Sequence, residues 1–130
     1  MPGNTFDLDI VHSREIDNIR CLLAALGSLE ATYRMQTELR LKPDVSHLAS
    51  PGHQLLMTRF GPLDVLGTIG RSRGYDDLLP HAHEVEVGEG LRVWVLDLET
   101  LIAVKEEVGG EKDLAVLPIM RRTLEEKRRR

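Results

Sequence analysis

Three aspartates have a spacing that suits the binding of a divalent metal ion. Asp7 and Asp9 lie in the run Thr5–Val11, where acidic and apolar residues alternate. Successive side chains of a strand point to opposite faces, so both carboxylates share one face. Asp64 interrupts the apolar run Leu63–Leu66, where an unpaired charge is costly. Three convergent carboxylates favour a hard cation such as Mg²⁺ or Mn²⁺ in an all-oxygen shell.

Each of these acids also has an ordinary structural interpretation. Polar residues alternate in the same way on the solvent face of any half-buried strand, which would explain Asp7 and Asp9. Asp64 could cap a neighbouring loop or pair with Arg59. The residue pattern alone leaves both interpretations open.

Lys105 is a candidate ligand for a negatively charged group. It lies on the apolar stripe of a predicted helix, whose other members are Leu98, Leu101, Ile102 and Val108. A lysine on such a stripe either extends its amine to the surface or meets an anion. Beside a metal site, a point charge of this kind suits a polyphosphate tail.

The elements that must position these residues alternate along the chain. The patterns predict a first strand and then a helix with Ser13 as its N-cap and Gly27 at its end. Two strand pairs follow, one around Gly61-Pro62 and one around residues 88–90. Next come a helix capped by Asp97 and a last helical region that Pro118 interrupts. We therefore predict an α/β or α+β fold with a mixed, mostly antiparallel sheet.

Composition limits the class of protein. The 130 residues, 42% hydrophobic and 29% charged, fit a single domain over residues 1–130. The formal net charge of −4 does not favour nucleic acid as a general partner. A single cysteine, Cys21, excludes an internal disulfide framework, and no apolar run reaches the roughly 20 residues of a membrane helix. We expect a cytoplasmic protein without a membrane partner.

Three segments in this order resemble the minimal nucleotidyltransferase superfamily. The strand Thr5–Val11 is similar to its D-x-D strand, and Thr58–Leu66 to the segment that carries the third carboxylate. The segment Asp97–Ile102 with Lys105, followed by Lys112–Leu114, resembles a C-terminal lysine motif. Within the superfamily, the chain looks most like bacterial proteins related to the toxins of abortive-infection toxin–antitoxin systems.

The resemblance implies metal-assisted transfer of a nucleoside monophosphate from a nucleoside triphosphate to an acceptor. Asp7, Asp9 and Asp64 would be the metal ligands and catalytic residues, with Mg²⁺ or Mn²⁺ as cofactor. Lys105 and Lys112 would bind the triphosphate tail. The acceptor, RNA or protein, is not identified, and a homodimer is one expected assembly.

The sequence departs from the superfamily before the first strand. Members place a helix there, which opens with a Gly-Gly or Gly-Ser turn that grips the phosphates. Only six residues precede Asp7, so we expect an N-terminally shortened domain or a start further upstream. The alternative functions are a non-catalytic interaction module, such as a toxin–antitoxin partner, and a phosphate-ester hydrolase that uses the same acids.

Overall fold

A computed structural model of the chain describes residues 8–35, 37–109 and 111–129, with the side chains of residues 37 and 111–116 left out. The fold is α+β, with helices and two sheets whose strand pairs are mostly antiparallel. The chain divides into two compact units, Met1–Ile69 and Gly70–Arg130. The expected single domain over residues 1–130 stays a prediction.

The first unit contains a four-stranded sheet with the strand order β1-β4-β3-β2. Strand β1 is parallel to β4, whereas the β4–β3 and β3–β2 pairs are antiparallel. A 3₁₀ turn covers Thr37–Leu39. The other elements of this unit are β1 (Leu8–Val11), α1 (Ile16–Ser28), β2 (Thr32–Tyr33), α2 (Val45–Ala49), β3 (His53–Thr58) and β4 (Gly61–Leu66).

Helices α1 and α2 cover one face of this sheet with apolar side chains. Along β3 and β4, burial alternates with a period of two residues, because successive side chains point to opposite faces. The buried cluster comprises Ile19, Leu26, Ala31, Leu48, Leu56, Leu63 and Val65. Asp64 and Leu55 alternate with these residues and therefore point to the opposite face.

The β3–β4 hairpin closes two residues earlier than predicted. Its turn is Arg59-Phe60, and Gly61-Pro62 already belongs to β4. The Thr58 hydroxyl accepts from the Phe60 amide at 3.1 Å and donates to the Gly61 carbonyl at 2.9 Å. Gly61 has φ of +126°, a conformation that side chains disfavour. These local bonds place the turn ahead of the glycine.

Helix α1 begins at Ile16, and its N-cap is Glu15 rather than the predicted Ser13. The Ser13 hydroxyl instead accepts from the Glu15 amide at 3.4 Å, and its carbonyl accepts from Asn18 Nδ2 at 2.8 Å. Ser13 thus closes a turn upstream of the helix.

The second unit joins a two-stranded sheet to two long helices. Its elements are α3 (Tyr75–Leu78), a 3₁₀ turn (Leu79–His81), β5 (Ala82–Gly88), β6 (Leu91–Leu96), α4 (Leu98–Val108) and α5 (Glu111–Arg128). The Asp97 carboxylate caps α4 by accepting from the Thr100 amide at 2.7 Å, as the sequence predicts. Gly109 ends α4 in the left-handed conformation, with φ of +64°.

Helix α5 continues through Pro118, so the predicted interruption is wrong. Proline removes one main-chain hydrogen bond of a helix. The neighbouring Leu117 is only 3% exposed, and burial of that side chain stabilises the same turn. Among the described residues, no helix is long and apolar enough to cross a membrane.

Candidate functional site

Asp9 and Asp64 lie side by side on neighbouring strands. The parallel register of β1 and β4 pairs Asp9 with Asp64. Residues paired in this way point to the same face, and the strands of a sheet are about 4.8 Å apart. Both carboxylates therefore lie on the face opposite the apolar core. The sequence predicted this convergence for two of its three aspartates.

The two aspartates belong to a row that crosses all four strands. Leu55 on β3 pairs with Asp64, and the Arg34 amide, one residue after β2, donates to the Leu55 carbonyl at 3.0 Å. Arg34, Leu55, Asp64 and Asp9 thus follow one another across the sheet. We call this set the acidic row.

Arg34 holds one oxygen of Asp64. Its Nη2 donates to Asp64 Oδ1 at 2.7 Å, and its Nη1 donates to the Leu56 carbonyl at 3.1 Å. The two side chains are 23% and 15% exposed. The alternative partner expected from the sequence, Arg59, instead lies over the Phe60 ring, with Cζ 4.7 Å from the ring centroid.

Two carboxylates of the acidic row lie next to each other on one face of the sheet. Like charges directly opposite each other on paired strands are destabilising. Arg34 supplies one positive charge to Asp64. A carboxylate has about four lone-pair positions on its two oxygens, so one arginine bond does not exhaust the capacity of Asp64.

Asp7, the third predicted ligand, lies outside the described residues. Within the described part of the chain, no three His, Cys, Asp or Glu side chains are grouped closely enough to hold a metal ion. Asp7 is not among those residues, so the predicted set of three aspartates stays a prediction.

The two predicted lysines belong to the second unit. Lys105 is half-buried near the end of α4, and its carbonyl accepts from the Gly109 amide at 3.0 Å. The buried residues of α4 are Thr100, Ile102 and Val104. Lys112 lies in α5, and its side chain is outside the described part of the structure. Their role as triphosphate ligands stays a prediction.

His12 follows the acidic strand but is a buried structural residue. It is 6% exposed, and its Nε2 lies 2.7 Å from the Leu48 carbonyl of α2. The carbonyl accepts from Nε2, and Nδ1 has no hydrogen-bond partner among the described residues.

The residue that sequence reasoning missed is Arg34. The stretch around it alternates only weakly, and it carries no recognisable motif. Its position depends on the register of β2 against β3 and of β3 against β4. No signal in the chain itself identifies it.

No protein-family model, curated protein or solved structure matches the chain.

Proposed function

We propose that this chain is a nucleotidyltransferase-like protein that transfers a nucleoside monophosphate from a nucleoside triphosphate to an acceptor hydroxyl. The observation that carries the proposal is the pairing of Asp9 with Asp64 on one face of the sheet. Two adjacent carboxylates are a donor set that Mg²⁺ and Mn²⁺ prefer. The ordered resemblance to the superfamily supports the same assignment.

The carboxylate oxygens of the acidic row are donors of the kind that the proposed divalent cation binds. Asp9 and Asp64, together with Asp7, would hold divalent cations, which supply stabilisation of charge on the attacking and leaving oxygens. Asp64 would also help to remove the proton of the acceptor hydroxyl. Lys105 and Lys112 would offset the charge of the triphosphate tail.

The first experiment is a melting curve with millimolar Mn²⁺ and a nucleoside triphosphate. We expect the melting temperature to rise by about 3–8 °C, because a ligand that binds only the folded state stabilises it. Asp9→Asn should abolish the rise. Asp17→Asn, which changes an exposed acid in the first turn of α1, is the matched control and should preserve it. An unchanged wild-type melting curve contradicts the proposal.

The second experiment identifies the reaction. A triphosphate labelled at the α-phosphate should leave label on the acceptor and release pyrophosphate. Release of free phosphate or nucleoside monophosphate without a labelled acceptor would instead indicate a hydrolase. Candidate acceptors are RNA and protein, including the chain itself.

The bond between Arg34 and Asp64 favours a second candidate function. A carboxylate already paired with an internal cation can be a purely structural tie between the end of β2 and β4. The chain would then be a non-catalytic interaction module, such as a toxin–antitoxin partner or a homodimer. In that case Mn²⁺ has no effect on the melting temperature, and sedimentation detects a complex.

A further inference from the structure

Asp64 Oδ1 is the point where the protein and the proposed metal ion need the same atom. Arg34 Nη2 donates to this oxygen at 2.7 Å, a short distance typical of a charge-assisted hydrogen bond. A divalent cation that binds through this oxygen must take the position of the Nη2 donor. Metal and arginine therefore compete for Asp64.

The remaining contacts of Arg34 keep it at the acidic row whether or not it holds Asp64. Its amide donates to the Leu55 carbonyl at 3.0 Å, and its Nη1 donates to the Leu56 carbonyl at 3.1 Å. Both carbonyls belong to β3, the strand between Arg34 and Asp64. The side chain is thus anchored next to the oxygen that it would give up.

We propose that Arg34 occupies the place of a divalent cation on Asp64 and is displaced from Oδ1 when the cation binds. Arg34 is then a positioning residue that holds the Asp64 carboxylate in place in the metal-free protein and lowers the affinity for the cation. The inference rests on the proposed function, because it requires that Asp9 and Asp64 bind metal.

The test measures the affinity for Mn²⁺ alone, by calorimetry and by the electron paramagnetic resonance signal of free Mn²⁺. Arg34→Met removes the charge but keeps an alkyl chain, and we expect it to bind Mn²⁺ about tenfold more tightly than the wild type. Arg34→Lys keeps a cation near Oδ1, and its affinity should stay within about threefold of the wild-type value.

A second arginine provides the matched control for loss of charge. Arg59 is exposed, and its guanidinium lies over the Phe60 ring. Arg59→Met removes one positive charge, as Arg34→Met does, but leaves Asp64 Oδ1 untouched. It should change the Mn²⁺ affinity by less than about twofold. An equal gain in both methionine variants would attribute the effect to total charge and overturn the inference.

Two failures are distinguishable. If wild-type protein binds Mn²⁺ and Asp9→Asn abolishes binding, but Arg34→Met binds equally or more weakly, the competition is refuted and the proposed function stands. If neither wild type nor Arg34→Met binds Mn²⁺, the proposed function fails and this inference fails with it. Circular dichroism confirms that each variant is folded, and Arg34→Gln, which also removes the charge, tests the competition if Arg34→Met does not fold.

Discussion

The Arg34–Asp64 ion pair gives a quantitative prediction for the stability of the metal-free protein. The perturbation is a double-mutant cycle with Arg34→Met and Asp64→Asn, alone and combined. Methionine preserves much of the alkyl packing of arginine, and asparagine preserves the shape of aspartate. Because the Asp64–Asp9 repulsion changes equally with and without Arg34, the cycle isolates the coupling of the pair.

The burial of the pair sets the size of the coupling. Exposed ion pairs contribute about 0.2–1 kcal/mol, whereas hydrogen bonds to charged groups contribute about 1.5–3 kcal/mol. Side chains that are 23% and 15% exposed lie between these cases. We therefore expect a coupling free energy of about 1–2 kcal/mol. With an m-value of about 2 kcal/mol/M, this shifts the urea midpoint by about 0.5–1 M.

The assay is urea unfolding followed by two probes. Trp94, the only tryptophan, lies in β6 and reports by fluorescence on the second unit. Far-UV circular dichroism reports on helices of both units, so coincident transitions justify a two-state treatment. A coupling below about 0.5 kcal/mol would refute the argument that partial burial strengthens the pair.

Three further predictions concern the scaffold. Leu56 is fully buried, and Leu56→Ala should lower the free energy of unfolding by about 2–5 kcal/mol. Leu55 is 38% exposed, and Leu55→Ala should lower it by less than about 1 kcal/mol. Urea unfolding measures both. Gly67→Ala should also destabilise the protein strongly, because a Cβ there overlaps a main-chain carbonyl. Gly27→Ala meets no atom within 4 Å and should raise the free energy of unfolding by about 0.5–1 kcal/mol, because alanine favours the helix more than glycine does. Thermal melts measure this pair. Asp97→Ala should cost about 0.5–1 kcal/mol near neutral pH, because its carboxylate caps α4. A hydrogen bond with the Thr100 side chain lowers the pKa of Asp97 below its ordinary value of 3.8. The stabilisation by the ionised cap is therefore complete above that value and is lost as the pH falls through the lower pKa of the folded state. Unfolding curves at neutral and acidic pH measure the difference.

Each of these predictions has an outcome that contradicts it. Equal losses from Leu55→Ala and Leu56→Ala would mean that the two faces of β3 do not differ in packing. A Gly67→Ala protein as stable as Gly27→Ala would contradict the close approach of the main chain at Gly67. If the difference between wild type and Asp97→Ala stayed constant down to about pH 2, the ionised carboxylate would not be the cap.

Features that depend on neighbouring residues could be predicted from the sequence. The cap at Asp97 and the stop at Gly109 rest on bonds within one or two turns of a helix. The common face of Asp9 and Asp64 rests on strand periodicity together with one correct assumption, that their strands are adjacent. Such features can be predicted from hydrogen bonds between nearby residues and from the two-residue periodicity of a strand.

Features that depend on strand order or packing could not be predicted. Arg34 reaches Asp64 only because β3 lies between β2 and β4, and nothing near Arg34 in the chain encodes that order. Serine is a typical N-cap residue, but the Ser13 hydroxyl accepts from the Glu15 amide in a turn that precedes the helix. At Pro118, the loss of one helical bond was visible in the sequence and the burial of Leu117 was not.

The parallel pairing of β1 with β4 has a consequence for the order in which the protein assembles. The β3–β4 hairpin closes over two residues and can form as soon as it leaves the ribosome. Strand β1 is synthesised before the other strands of this sheet. Its neighbour β4 becomes available only after α1, β2, α2 and β3 have been synthesised. The pairing of β1 with β4 places Asp9 beside Asp64, so the metal binding that we propose would require the completed sheet. Metal capture by Asp9 and Asp64 would then lock the N-terminal strand in place and slow its detachment.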